Sequence, residues 1–440
     1  MRWLTRALHS TEGAKKMSNA PVKPGQEDMT FGDIVWGQFK KNYFAYGALW
    51  LLGVMFFLAV FSPIIASGRA FIWTENGVTH YPWLNSLFDD NYYENGVDKF
   101  FNLLLVFGVP LLLAWLGVSR FVYGGLTKRV RRLKIRRLAG ILTLVFMATF
   151  AWVMMTSQGH KNAYNYDDYL AAQDAGKDVS AIFAPVQMMY TKQKLRDKLQ
   201  SPSFTADCAE QGRDADVCED YILGTDSLGR SVAVRMLYGI RISLSVGVIA
   251  VGIYVTIGII IGAFAGFFRG RVDMFIQRLI EIFMAVPTLI VLMVVVSFID
   301  EPSIFHIMLA IGLLRWTGVA RLVRGEFLRL RNLDFVTSAI ALGYSTRRVI
   351  FQHILPNALG PVLVAAAFGV AAAILIESSL SFLGLGDINI PSWGQMLRDG
   401  YLTQKMHLIL IPGLGIFVTV TLLNLVGEGL RDALDPKMRK

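Results

Sequence analysis

The 440-residue chain predicts an all-α polytopic membrane protein, and three features carry that expectation. Hydrophobic residues make up 54% of it and charged ones only 17%, with a mean hydropathy of +0.47, more apolar sequence than a water-soluble surface accommodates. About eight apolar stretches are long enough to cross a bilayer as helices. The basic residues, in net excess by +10, gather in short runs beside those stretches, as cytoplasmic loops do under the positive-inside rule. Topology therefore accounts for the charge, and nucleic acid is not an expected partner.

Residues 1–42 carry Arg2, Arg6, Lys15, Lys16, Lys23, Lys40 and Lys41 ahead of any apolar run. They read as a cytoplasmic N-terminal tail too long for a cleaved signal peptide. Residues 43–66 hold no charge and form the first span; residues 67–99, with Glu75, Asp89, Asp90, Glu94 and Asp98 against Arg69 and Lys99, suit the outer side. Two spans follow, 101–119 and 139–156, as a helical hairpin. Between them Arg120, Lys128, Arg129, Arg131, Arg132, Lys134, Arg136 and Arg137 meet no acidic residue, the strongest inside anchor in the chain.

Residues 157–239 form the longest soluble stretch, expected in the periplasm, with helical potential over 188–199. Cys208 and Cys218 lie in its acidic part, nine residues between them, and are expected to close a disulfide loop outside the cytoplasm. Two free thiols in a reducing compartment are the alternative; zinc is disfavoured because no His or further Cys lies nearby. Asp226 and Ser227 sit where a helix N-cap is needed, and Val232, Met236 and Leu237 with Arg235 suggest an amphipathic helix at the outer interface.

The fourth span, 242–267, carries Gly258, Gly262 and Gly266 at intervals of four, a stripe where another backbone can come close. No GK[ST] follows, so it is a packing face and not a phosphate loop. A tight inner loop, residues 269–273, leads to the fifth span, 279–299, which Pro287 is expected to kink and in which Glu281 either snorkels or pairs with Arg278. The sixth, 303–323, contains Arg315 and Trp316 and returns the chain among Arg321, Arg324, Arg329 and Arg331. Spans 355–376 and 406–427 complete the count and bring the C-terminus back inside.

The most informative stretch is residues 334–361, DFVTSAIALGYSTRRVIFQHILPNALGP, polar and helix-compatible between two apolar runs. Small and aliphatic residues at helical spacing stop at Gly343, suited to a left-handed helix end; Ser345 or Thr346 then starts a second helix that reaches Pro356. The whole reads as helix, turn, helix on the cytoplasmic side.

Gly343, His353, Leu355, Pro356 and Asn357 match the EAA-type loop of ABC-transporter permeases, although Thr337, Ser338 and Ala339 stand where that family usually has Glu-Ala-Ala. Gly224, Thr225, Asp226, Gly229, Arg230, Gly239 and Arg241, the stretches 377–386 and 391–394, and the closing 424–436 with Glu428 extend the match over residues 223–436. The chain resembles the C-type permease subunits of bacterial oligopeptide and dipeptide ABC importers. That resemblance implies a type I importer transmembrane domain in the bacterial inner membrane, paired with a B-type permease, two cytoplasmic ATPases and a periplasmic peptide-binding protein. It implies peptide as cargo, no cofactor, no metal and no catalytic residue, ATP hydrolysis belonging to the separate ATPases. The ATPase-coupling loop would comprise Asp334, Phe335, Thr337, Ser338, Ala339, Leu342, Gly343, His353, Pro356 and Asn357.

The expected division is a tail (1–42), a first span plus the hairpin (43–156), a periplasmic segment (157–239), the permease domain (240–428) and a C-terminal tail (429–440). Usual relatives have six spans, so the hairpin is an addition. Two rivals fare worse. A secondary transporter needs intramembrane ionisable groups arranged for ion coupling and shows an internal repeat, yet only Glu281, Arg315 and Glu377 qualify and no repeat is visible. An intramembrane protease has neither Gly-x-Ser-x-Gly nor His-Glu-x-x-His to work with.

Overall fold

Hydrocarbon offers backbone N–H and C=O groups no partner, so a crossing segment must close its hydrogen bonds within a helix. The computed structural model, which describes residues 31–122, 128–157, 159, 164–202 and 221–435, obeys this. Among the described residues seven helices are long and apolar enough to cross, and a pair bent by 78° makes eight when it is counted as one span. Besides short helices at Phe31–Phe39, Pro82–Ser86 and Tyr166–Asp174, the main elements in chain order are α1 (Tyr43–Ile65), β1 (Ile72–Glu75), β2 (Val78–His80), α2 (Gly96–Phe121), α3 (Lys128–Thr156), β3 (Val179–Ile182), α4 (Val232–Phe268), α5 (Gly270–Ala285), α6 (Thr288–Ser297), α7 (Ile304–Leu314), α8 (Trp316–Leu330), α9 (Asp334–Ala341), α10 (Thr346–Phe382), α11 (Trp393–Thr403) and α12 (Met406–Leu434).

The core is where α4 passes α8. A Cβ added at Gly258 would sit 2.6 Å from Val319 Cβ, at Gly262 2.8 Å from Val323 Cβ, and at Gly266 2.5 Å from Phe327 Cβ. Both stripes advance by four residues, so side chains of one helix fill the row of missing side chains on the other. The expected packing face is therefore the contact that sets the fold. Two prolines leave a matching signature. The backbone widens to π geometry over Leu104–Gly108 before Pro110 and over Val349–Ile354 before Pro356, which relieves the clash and missing donor that proline brings to an α-helix.

Several expectations are corrected. The basic run of the hairpin is not a loop from Lys128 onward but the first turns of α3. Pro287 breaks the fifth span, α5 and α6 meeting at 78°. Residues 269–273 narrow to a single turn residue, Arg269, with φ of +54°. The sixth span is two helices joined at Arg315, and Glu281 does pair with Arg278, at 2.6 Å on an exposed face. Residues 188–199 are mostly non-helical: Met188, Met189 and Tyr190 are drawn into a buried cluster with Tyr93 and Tyr238, a tertiary contact that overrides local helical preference. Cys208 and Cys218 lie outside the described residues.

The amphipathic interfacial helix is also absent. Ser231 takes the N-cap position, α4 runs unbroken for 37 residues, and Arg235 and Arg241 are both buried. Each guanidinium has a carboxylate to meet it. Arg241 reaches Asp98 of α2 at 2.9 Å and donates to the Ala59 carbonyl of α1 at 2.7 Å; Tyr190 donates to the other oxygen of Asp98 at 2.8 Å. One buried ion pair thus pins the extra hairpin to the permease core. A small antiparallel sheet in the order β2-β1-β3, not foreseen, joins residues 72–80 to 179–182, two segments that the alternating topology places on one side.

We expect Gly262→Ala to destabilise the protein by about 1–3 kcal/mol, because the added methyl meets backbone and Cβ atoms of α8. Gly252→Ala, on the same helix with nothing within 4 Å, serves as the control and should be near neutral. Unfolding in detergent micelles measures both; equal stability of the two variants would contradict the packing argument.

Candidate functional site

Residues 330–357 join α8 to α10 on the face that also carries Arg269, Arg271, Arg324 and Arg331. Asp334 opens α9 with a carboxylate in its first turn, where the helix dipole favours negative charge. The helix buries Val336 and Ala339 on one side and leaves Phe335, Ile340 and Leu342 exposed by 41, 48 and 73%. Thr337 donates its hydroxyl to the Asp334 carbonyl at 3.1 Å, and Ser338 is exposed.

The end of α9 is fully accounted for. Gly343 donates to the Ile340 carbonyl at 2.9 Å and Tyr344 to the Ala339 carbonyl at 3.2 Å, the paired bonds of a Schellman turn. Gly343 takes φ of +78°, as the sequence pattern requires. An added Cβ there would meet nothing within 4 Å, so the demand on this glycine is conformational and not steric.

Tyr344 then clasps the second half of the loop. Its ring lies 4.1 Å from the Arg348 guanidinium on one hand and stacks with His353, centroids 5.6 Å apart, on the other. Ser345 stands at the N-cap position of α10 without a side-chain cap bond. Asn357 donates to the His353 carbonyl at 2.7 Å, across the π segment that precedes Pro356. Ser345, Arg347, Arg348, Phe351 and Gln352 line a shallow open hollow beside this clasp. The structure thus brings Gly343, His353 and Asn357 into one linked unit, with Pro356 setting the helix geometry and Asp334, Phe335, Thr337, Ser338, Ala339 and Leu342 on the adjoining short helix. Tyr344 and Arg348 were missed as parts of it. The signal was available: the residue after a left-handed helix-ending glycine commonly packs back on the helix it follows.

The motif residues of 224–241 and 377–394 serve the opposite face. The Asp226 carboxylate accepts backbone N–H bonds from Leu228 and Arg230 at 2.9 Å each and side-chain bonds from Arg230 at 2.7 Å and Arg235 at 2.5 Å. Burial works to raise its pKa, but the Arg235 and Arg230 guanidiniums outweigh that and hold the carboxyl below its usual range. Arg235 also donates to Gln395 of α11 at 2.9 Å. Glu377, fully buried, accepts from Ser381 at 2.8 Å and Ser392 at 2.7 Å, and the Trp393 indole donates to the Met236 carbonyl at 3.1 Å. These residues clamp the ends of α4, α10 and α11 together. On the basic face Arg324 grips Asp273 with two bonds of 2.5 and 2.7 Å, tying α8 to α5.

If the tyrosine clasp holds the turn, Tyr344→Ala should loosen it by the energy of one cation–π contact and one ring stack, so that trypsin cuts after Arg347 or Arg348 about fivefold faster in the solubilised protein. Unchanged cleavage would show that the ring contacts do not restrain the loop.

Comparison with known proteins agrees with this arrangement. Residues 258–440 match the family described as binding-protein-dependent transport system inner membrane component, and residues 30–77 match the N-terminal TM domain of oligopeptide transport permease C. The oligopeptide transport system permease protein OppC of Haemophilus influenzae is 43% identical over 222 residues, covering 50% of this chain and 71% of that protein. The dipeptide transport system permease protein DppC of Alkalihalophilus pseudofirmus is 36% identical over 264 residues, 59% of this chain and 82% of that one. The glutathione transport system permease protein GsiD of Pectobacterium atrosepticum is 37% identical over 220 residues, 49% and 73% respectively. With its multi-pass helical architecture and its motif residues in order, the chain belongs to the family of binding-protein-dependent transport system inner membrane components, as a C-type permease of the oligopeptide and dipeptide group.

Proposed function

We propose that this chain is the transmembrane permease subunit of an ATP-driven importer that carries oligopeptides or dipeptides across the bacterial inner membrane. In this reading it pairs with a B-type permease, two cytoplasmic ATPases and a periplasmic peptide-binding protein, and it hydrolyses nothing itself. The positive-inside rule puts the basic face, with residues 334–357, in the cytoplasm, and the sheet-bearing face outside. Residues 240–428 act as the permease domain; 43–156 and 157–239 supply the first span, the added hairpin and an external segment.

The observation that carries the reading is the apolar edge of α9. Phe335, Ile340 and Leu342 are exposed on a short helix at the membrane's charged boundary, held at a fixed angle by Gly343 and the Tyr344 clasp. Such an edge suits a groove on an ATPase surface. When ATP closes the ATPase pair the groove moves, α9 moves with it, and the turn passes the displacement to α8 and α10, which rock the core between inward and outward openings. Thr337, Ser338 and Ala339 replace the carboxylate-bearing triplet common in relatives, so shape and apolar contact carry the coupling here.

Replacing Gly343 tests this directly. A β-branched residue at φ of +78° costs about 1–2 kcal/mol and re-aims α9, while packing within the bilayer is untouched. In a reconstituted complex Gly343→Val should insert normally but hydrolyse ATP without matching peptide uptake, and Gly343→Asn, which tolerates the left-handed conformation, should retain most coupling. Wild-type uptake by the valine variant would remove this turn from the mechanism.

A further inference from the structure

Residues 78–222 fall outside both matched family segments and ahead of the motif match over residues 223–436, so the part of the molecule they build calls for its own explanation. On the sheet-bearing face this region, with Leu228, Arg230 and Arg235, forms one wall of a cleft whose other wall is Ser303, Phe305 and the loop between α10 and α11. The cleft has two lobes, of about 310 and 230 Å³, which share Glu94, Tyr190, Thr191, Asn389 and Ile390 at the waist.

Its polar groups are sorted by charge. In the larger lobe lies Asp387, half-buried, whose carboxylate takes backbone N–H bonds from Asn389 at 3.0 Å and Ile304 at 3.3 Å. Burial raises the pKa of this group, while those two bonds and the charge of His306 pull it down. Asn95, in the same lobe, caps α2 by accepting from Val97 N at 3.0 Å through its Oδ1. At the waist the Glu94 carboxylate is exposed and makes no ion pair among the described residues. The smaller lobe ends on Arg230. Its Nε is committed to Asp226, but its terminal nitrogens have no partner among the described residues.

A ligand that suits the whole cleft needs a cation at one end and an anion at the other. We propose that the cleft is a receiving site for a short zwitterionic peptide, its ammonium held by Asp387 and Glu94 and its carboxylate meeting the terminal nitrogens of Arg230. The inference rests on the importer reading for the outward placement of this face and for peptide as the ligand, and it gives the outer loop ahead of the hairpin a role: it supplies Glu94 to a site that Asp387 and Arg230 half build.

The test uses the whole complex in lipid nanodiscs without its binding protein, with alanyl-leucine, its N-acetyl form and its C-terminal amide as probes, read by saturation-transfer NMR and calorimetry. The free dipeptide should bind, and each blocked form should bind about tenfold more weakly, the effect of losing one charge-assisted contact. Glu94→Gln and Asp387→Asn should each weaken the free dipeptide while closing the gap to the N-acetyl form, as a coupled pair must. Glu94 is exposed, so its variant tests binding without endangering the fold. No binding, equal binding of all three probes, or variants that retain the discrimination would each overturn the proposal. ATP-driven uptake by the same complex in sealed proteoliposomes, with binding protein added, separates the two claims. Uptake without cleft binding leaves the importer standing and removes the cleft, whereas cleft binding with active ATPases and no uptake counts against the importer.

Discussion

The close passage of α4 over α8 is the constraint on which the rest of the structure depends. Three glycines a turn apart let Val319, Val323 and Phe327 sit against bare backbone, and the axes approach as no larger side chains would permit. Lipid tails supply no hydrophobic drive between helices, so this contact rests on dispersion and fit. Once α4 and α8 are locked, α7 above and α9 below are fixed in direction, and the turn at Gly343 launches α10 back along the same core.

The two ends of the helical body are finished differently. One is closed by buried carboxylates, each enclosed by donors: Asp226 by two arginines and two backbone N–H groups, Asp98 by Arg241 and Tyr190, Glu377 by serine hydroxyls. Removing Arg235 from Asp226 or Arg241 from Asp98 leaves an uncompensated buried charge, commonly about 3–5 kcal/mol, so these two pairs hold their helices together. The other end is looser, with α9 resting on two buried residues and its apolar edge in the open. One end is thus knotted by ion pairs, while the other leaves the apolar edge of a short helix exposed.

Much of this was legible in the residues. The apolar runs, the glycine stripe and the positive φ at Gly343 each follow from a local rule, and each is present. What escaped was decided at long range. Arg241 reads only as a motif residue because nothing nearby in the chain announces its carboxylate, Asp98, which lies 143 residues away, and Arg235 reads as interfacial although Asp226, its carboxylate, is nine residues off. The stretch 188–199 looks helical until Tyr190 finds Asp98 and Tyr238, and β1 pairs with β3 across the whole added hairpin. In the candidate loop the backbone was readable and the clasp was not, since Tyr344 gains its meaning only when Arg348 and His353 close on it.

The central claim is that residues 334–345 are where force from an ATPase enters the membrane core. Disulfide cross-linking measures that contact most directly: a cysteine placed by Ser338→Cys, exposed on α9, is paired with cysteines scanned along the groove of the ATPase surface in the assembled complex. The account predicts rapid bridging at one groove position, loss of peptide uptake on bridging and its return on reduction. Failure of every groove position to bridge while the complex continues to take up peptide would contradict it.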